Sequence, residues 1–365
     1  MIRISDIIEA IEIIAPPGLQ ESYDNTGLQI GDKRKECTGV LICVDATVKI
    51  VEEAIQRGCN LIVAHHPLFF KGIKRLTGST SVEKTAIEAV KNGVAIYSGH
   101  TSVDSFSQGI SYQMAKSLEL EEIKVLEPRT EDMLKLTVWT PASHTNSLLE
   151  AFFNEGCGSI GRYDNCSFRS SGLSTFRPLE GSNPYVGDLN ENYSSQEEKI
   201  ELVLHNWMRD RAEDIIRRIH PYEEPAYEFS KVRIGSLNTG MGVVGKLKGS
   251  LTPENLIELV KKTFDSPVAR CTSVGDIPIE KVALCGGSGS SLIGKAIASG
   301  AGAFITSDTK YHDFVDYADR ILIIDIGHHE SERCSKFIFH NIITKKFPNF
   351  AVHYSQSETN PILYR

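Results

Sequence analysis

The stretch "IVAHHPLFFKG", Ile62 to Gly72, runs a buried apolar strand straight into two adjacent histidines, His65 and His66. Paired imidazoles at a strand end offer nitrogen ligands to zinc, iron or manganese. A histidine pair by itself more often caps a loop, so it needs company before it means a metal. That company stands at two further strand ends. "GHTSVD" and "GHHESE" both read Gly-His-x-x-x-carboxylate, giving His100 with Asp104 and His328 with Glu332. Taken singly, Asp104 and Glu332 read as solvated loop carboxylates. Taken together, the imidazoles and carboxylates form a set that two neighbouring ions can share. His220, in "HPYEEPAYE", reads as a turn residue beside Pro221.

Such groups converge when open α/β sheets hold them, because ligands gather beyond the carboxyl ends of the strands. The chain has that pattern twice. "GVLICVD", "NLIVAHH" and "VAIYSGH" are strands separated by the helical runs "TVKIVEEAIQRG" and "SVEKTAIEAVKNG". Later, "KVALCGG", "AGAFITSD" and "ILIIDIGHH" repeat the order, with "SSLIGKAIASG" as a helix between the first two. At an offset of 242 residues, Val40, Cys43, Ala54, Ile55 and Gly58 fall on Val282, Cys285, Ala296, Ile297 and Gly300. Internal repetition of this kind decides the fold. Between the copies the order changes to βαββαβ, with "GSIGRYDNCSFRSSGLSTFRP" read as a hairpin. The fold expected is therefore α/β: two similar α/β halves forming one core, with an inserted ferredoxin-like α+β domain. The boundaries expected are 1–126 and 236–365 for the halves and 127–235 for the insert.

Composition narrows the function classes. The 365 residues are 41% hydrophobic and 24% charged, with a formal net charge of −8, which argues against a nucleic-acid or anionic-membrane surface. Eight cysteines occur without a C-x-x-C pair, so neither a disulfide framework nor a thiolate zinc site is expected. Asp6, Glu9 and Glu12 interrupt the first apolar run, which does not read as a signal peptide. A reduced, cytoplasmic protein that does not cross a membrane is expected. "GSSLIGKA", Gly289 to Ala296, approaches a phosphate loop but carries Ala296 where magnesium binding needs Ser or Thr.

The stretches "YDNTGLQIG", "AHHPLFFKG", "HTSVD", "ITSDTKYHD" and "DIGHHESE" together resemble the NIF-three-like dinuclear metal-centre family. Its bacterial members are labelled GTP cyclohydrolase 1 type 2 homologs. The resemblance covers essentially the whole chain, and the middle segment is similar to the PII/CutA-like insert of longer members. It implies metal ligands at His65, His66, Asp104, His328 and Glu332, with His329 as the alternative to His328. It also implies two divalent metal ions per chain and a homohexamer built as a trimer of dimers. The reaction implied is C–N hydrolysis of a nucleotide-like substrate such as GTP. The residues themselves leave the metal open among zinc, iron and manganese. They also leave room for a metal-dependent phosphoesterase, or for a non-enzymatic metal-binding regulatory or scaffold protein. His100 divides the two lines of argument. The repeat makes it the counterpart of His328, whereas the family pattern takes only Asp104 from this half. His100 is expected beside the metals, orienting groups or carrying protons without binding.

Overall fold

Val40–Cys43, Leu61–Ala64 and Ala95–Ser98 are almost wholly apolar and buried along their whole length. Strands of that kind belong inside a parallel sheet covered on both faces. In the computed structural model, which describes residues 1–129, 133–233, 236–273 and 275–365, they do. The three lie parallel, and Gly27–Ile30 joins antiparallel at one edge. Val352–Tyr354 joins parallel at the other edge. A second sheet has Ile279–Ser288, Ala303–Ser307 and Leu322–Asp325 parallel at its centre. Ser236–Leu251 and Glu121–Arg129 extend it on one side, and Arg270–Cys271 on the other. The halves thus exchange strands: 352–354 completes the first sheet and 121–129 the second.

The repeat is visible in the backbone. Val48–Gln56 and Ile293–Ala298 are equivalent helices, and each ends at a glycine with positive φ, Gly58 at 69° and Gly300 at 78°. Only glycine takes that conformation without strain. Gly294 and Lys295 lie inside the second of these helices, so the phosphate-loop look-alike is a helix segment. Thr252 caps the helix Pro253–Phe264 by accepting from the Asn255 N–H, with Pro253 in the first turn. One apolar core runs through both halves. Val63 and Tyr97 enter it from the first sheet, Leu284, Ile305 and Ile324 from the second, and Phe339 from the helix Ser335–Lys346. Burying each such side chain contributes roughly 1.5–3 kcal/mol.

Residues 1–128 and 238–365 make one compact unit and 129–237 another. The boundary expected at 235 lies outside the described residues. The second unit is a four-stranded antiparallel sheet in the order Phe168–Phe176, Tyr193–His205, Met133–Pro141, Tyr227–Val232. With the helices Thr145–Asn154 and Arg209–Ile219 this is the ferredoxin-like βαββαβ arrangement. Of the hairpin expected over 158–178, only a tight reversal forms, with Ile160 and Tyr163 exchanging backbone hydrogen bonds. Phe168–Phe176 pairs instead with Tyr193–His205, across a connection rich in proline and glycine. Among the described residues no helix is long and apolar enough to cross a membrane.

Candidate metal centre

The chemistry-bearing side chains of the core leave the carboxyl ends of parallel strands. Asp45 lies two residues beyond Cys43, His65 and His66 follow Ala64 directly, and Asp308 follows Ser307. Strand pairing carries on far enough to fix the histidine backbones: His65 N–H donates to Cys43 O at 3.1 Å and His66 N–H to Val44 O at 2.9 Å. His100–Asp104 and His328–Glu332 are five-residue helices that begin immediately after Gly99 and Gly327. Sequence reading put these residues on strand ends. The helical turn explains their common spacing, since residues i and i+4 share one helix face.

Glu332 stands at the middle of the cluster. Its Oε2 lies 2.8 Å from His66 Nε2, 2.9 Å from His328 Nε2 and 3.7 Å from His65 Nε2. The Nε2 atoms of His66 and His328 are 3.3 Å apart. His65 Nε2 is 3.8 Å from Asp104 Oδ1. Among the described residues, two overlapping sets of donor atoms, each within 4.8 Å of one another, could hold a metal ion: His65 with His66 and His100, and His66 with His328 and Glu332. Of the adjacent pair in "GHHESE", it is His328 that reaches the cluster; His329 belongs to neither set. His100 comes closer than the family pattern implies, with its ring 5.3 Å from that of His65 and 5.4 Å from that of His66.

Three carboxylates that sequence reading did not assign orient the rings. His66 Nδ1 bonds Asp45 at 2.8 Å, His100 Nδ1 bonds Asp24 at 2.8 Å, and His328 Nδ1 bonds Asp308 at 2.6 Å. Each bond anchors Nδ1 and turns Nε2 inward, as outer carboxylates do for metal-binding imidazoles. Asp24 is itself clamped by the N–H and hydroxyl of Thr101. Asp24 lies in "YDNTG" and Asp308 in "ITSD", and nothing local marked either residue as a histidine partner.

The electrostatics follow from burial and these contacts. Burial opposes charge on His66, but its bonds to Asp45 and Glu332 outweigh that and raise the imidazole to about 10. On His328 burial is likewise overcome, by Glu332 and Asp308, and the ring rises to about 9. Burial drives His65 down to about 4 against the pull of Glu332. It pushes Asp104 well above the usual carboxylate range, and the charge of Glu332 adds to the effect. Glu332, though buried, is held well below that range by His65, His328 and His66.

Both ring nitrogens of His65 and Oδ1 of Asp104 are buried with no hydrogen-bond partner. Orphaned buried donors and acceptors are costly and rare. Here they fit a divalent cation, because imidazole nitrogens and carboxylate oxygens are the donor set that zinc, iron and manganese accept. Gly287 is part of the same design. Its φ is +64°, and a Cβ there would lie 2.1 Å from Glu332 Oε1, so only glycine leaves room for the central carboxylate.

Known proteins share this architecture. A protein from Halalkalibacterium halodurans named "GTP cyclohydrolase 1 type 2 homolog" is 36% identical over 324 residues, covering 88% of this chain and 87% of its own. A protein of the same name from Staphylococcus aureus is 31% identical, over 99% of this chain and 100% of its own. The crystal structure of a Bacillus cereus protein related to NIF3 superposes with a TM-score of 0.83 at 32% identity, covering 100% of this chain and 99% of that one. Residues 2–361 match the model of the Duf34/NIF3 family. With its two α/β halves and the histidine–carboxylate cluster at their strand ends, this chain belongs to the Duf34/NIF3 (NGG1p interacting factor 3) family.

Proposed function

We propose that the chain is a metal-dependent hydrolase in which His65, His66, Asp104, His328 and Glu332 hold two divalent ions of zinc, iron or manganese. One observation carries the reading: the unpartnered nitrogens of His65 and the unpartnered Asp104 Oδ1 face a carboxylate, Glu332, that His66 and His328 already share. Bound ions of this kind supply an acidified water and positive charge for a developing oxyanion.

The chain's own residues do the rest. Asp45 and Asp308 lock the Nδ1 atoms of His66 and His328, so their Nε2 atoms stay aimed at the centre. His100, held by Asp24, stands beside the ligands and carries a proton to or from the reacting atoms. Tyr23 and Phe70, 61% and 48% exposed, pack 6.3 Å apart, and Phe70 stands 6.1 Å from His100 ring to ring. Their faces offer a stacking surface to a planar heterocycle. That surface, together with the names of the relatives, favours C–N hydrolysis of a purine nucleotide such as GTP. Family resemblance supports a homohexamer as the working assembly.

The test is steady-state turnover across a nucleotide panel, with metal-loaded and chelator-treated protein. A single product that appears only with metal supports the hydrolase. Metal binding at full stoichiometry with no turnover of any nucleotide would instead favour a metal-binding regulatory protein.

A further inference from the structure

The second unit contains a cavity of about 540 Å³ built wholly from its own residues and sharing none with the metal centre. Trp139, Phe176, Tyr185 and Tyr222 line it. Tyr222 is central to this aromatic wall, with Phe176 and Tyr185 each 6.0 Å away between ring centres. Glu197 also lines the cavity and is only 5% exposed. Its carboxylate accepts from Ser174 Oγ at 2.5 Å and Tyr222 Oη at 2.6 Å. Among the described residues no lysine, arginine or histidine nitrogen pairs with it.

That combination is unusual in a way that specifies a ligand. A carboxylate withdrawn from water is costly unless a positive charge joins it. Two hydroxyls use about half of its acceptor capacity. The aromatic faces around it attract cations rather than anions. The remaining charged groups of the lining are the carboxylates of Glu223 and Glu224 and the guanidinium of Arg177, so the balance stays negative.

The motif "HPYEEPAYE" builds the cavity. His220 is buried; its Nε2–H donates to Trp139 O at 2.8 Å and its Nδ1 accepts from Tyr222 N–H at 3.1 Å. One neutral imidazole thereby ties the strand bearing Trp139 to the turn bearing Tyr222. Two walls of the cage are held in place before any ligand arrives, which lowers the ordering cost of binding.

We propose that the insert binds a small organic cation, an alkylammonium or quaternary ammonium compound, with its charged head at Glu197 among the rings of Trp139, Phe176 and Tyr222. Calorimetric titration of the full chain with hexylammonium, hexyltrimethylammonium and hexanoate tests this. Saturable one-to-one binding of at least one of the two cations is expected, with none for hexanoate. Glu197→Gln should weaken that binding about tenfold, the loss of a charge-assisted contact. Tyr185→Ala, on the exposed rim, should weaken it several-fold and serves if the buried variant misfolds. Metal content should stay unchanged in both variants. The proposal is overturned if neither cation saturates the protein, if hexanoate binds as well as the cations, or if both folded variants bind like the parent.

Discussion

Replacing Gly287 with alanine should dislodge the central carboxylate without substituting any proposed ligand. The new Cβ would lie 2.1 Å from Glu332 Oε1, and ordinary contact begins near 3.4 Å, so the carboxylate must retreat by about 1.3 Å. Metal–ligand distances tolerate deviations of about 0.2 Å. The φ of +64° adds roughly 1 kcal/mol of backbone strain for a residue with a Cβ. Even the loss of a ligand's outer support weakens metal affinity roughly 10–100-fold, so displacing the ligand itself should cost at least about 100-fold. Competition with a chromophoric chelator measures this, and circular dichroism confirms that the variant is folded. Gly294→Ala is the control: nothing lies within 4 Å of its Cβ and its φ is ordinary, so parental affinity is expected. A folded Gly287→Ala protein with parental affinity would refute the placement of Glu332 at the metals.

Asp45→Asn and Asp308→Asn should each lower metal affinity by roughly 10–100-fold while leaving stoichiometry intact, because each releases one imidazole; chelator competition reads both numbers. His100→Ala should retain both metals and lose turnover; elemental analysis showing one metal fewer would make His100 a ligand. Glu53 tests the fold through pH. It accepts from Ser355 Oγ and from the Gln356 and Ser357 N–H groups, which hold its carboxylate at about 2 despite burial that opposes them. With the folded value below the usual 4.5, its contribution is full above about pH 4.5 and is lost as pH falls toward 2. Glu53→Gln should therefore cost on the order of 2 kcal/mol in urea unfolding at pH 7, and the gap from the parent should close below pH 4.5.

What the sequence disclosed and what it withheld have physical causes. Continuous apolar runs followed by a glycine stop are local signals, so the strand–helix–strand repeat ending at Gly58 and Gly300 was legible. The paired His65 and His66 were legible as ligand candidates only because "GHTSVD" and "GHHESE" supply imidazoles and carboxylates at further strand ends; alone, such a pair more often caps a loop. Asp24, Asp45 and Asp308 were not, because a lone aspartate in a connecting segment resembles any turn residue until the fold brings a histidine to it. The exchange of 121–129 and 352–354 between sheets leaves no local trace, since a strand's own residues do not encode which neighbour it will pair with. The expected hairpin at 158–178 failed for a related reason. A tight reversal does form at 160–163, but the partner of Phe168–Phe176 lies beyond a connection from 177 to 192. His220 read as a turn residue because its two bonds reach one atom 81 residues away and one only two residues away.

Anomalous X-ray scattering from crystals of the native protein tests most directly whether a pair of divalent ions is held between the two halves of the core. Difference maps collected on either side of the absorption edge of the metal present should show two peaks per chain, bounded by His65, His66, Asp104, His328 and Glu332. A single peak, or metal bound away from Glu332 with this cluster empty, would contradict it.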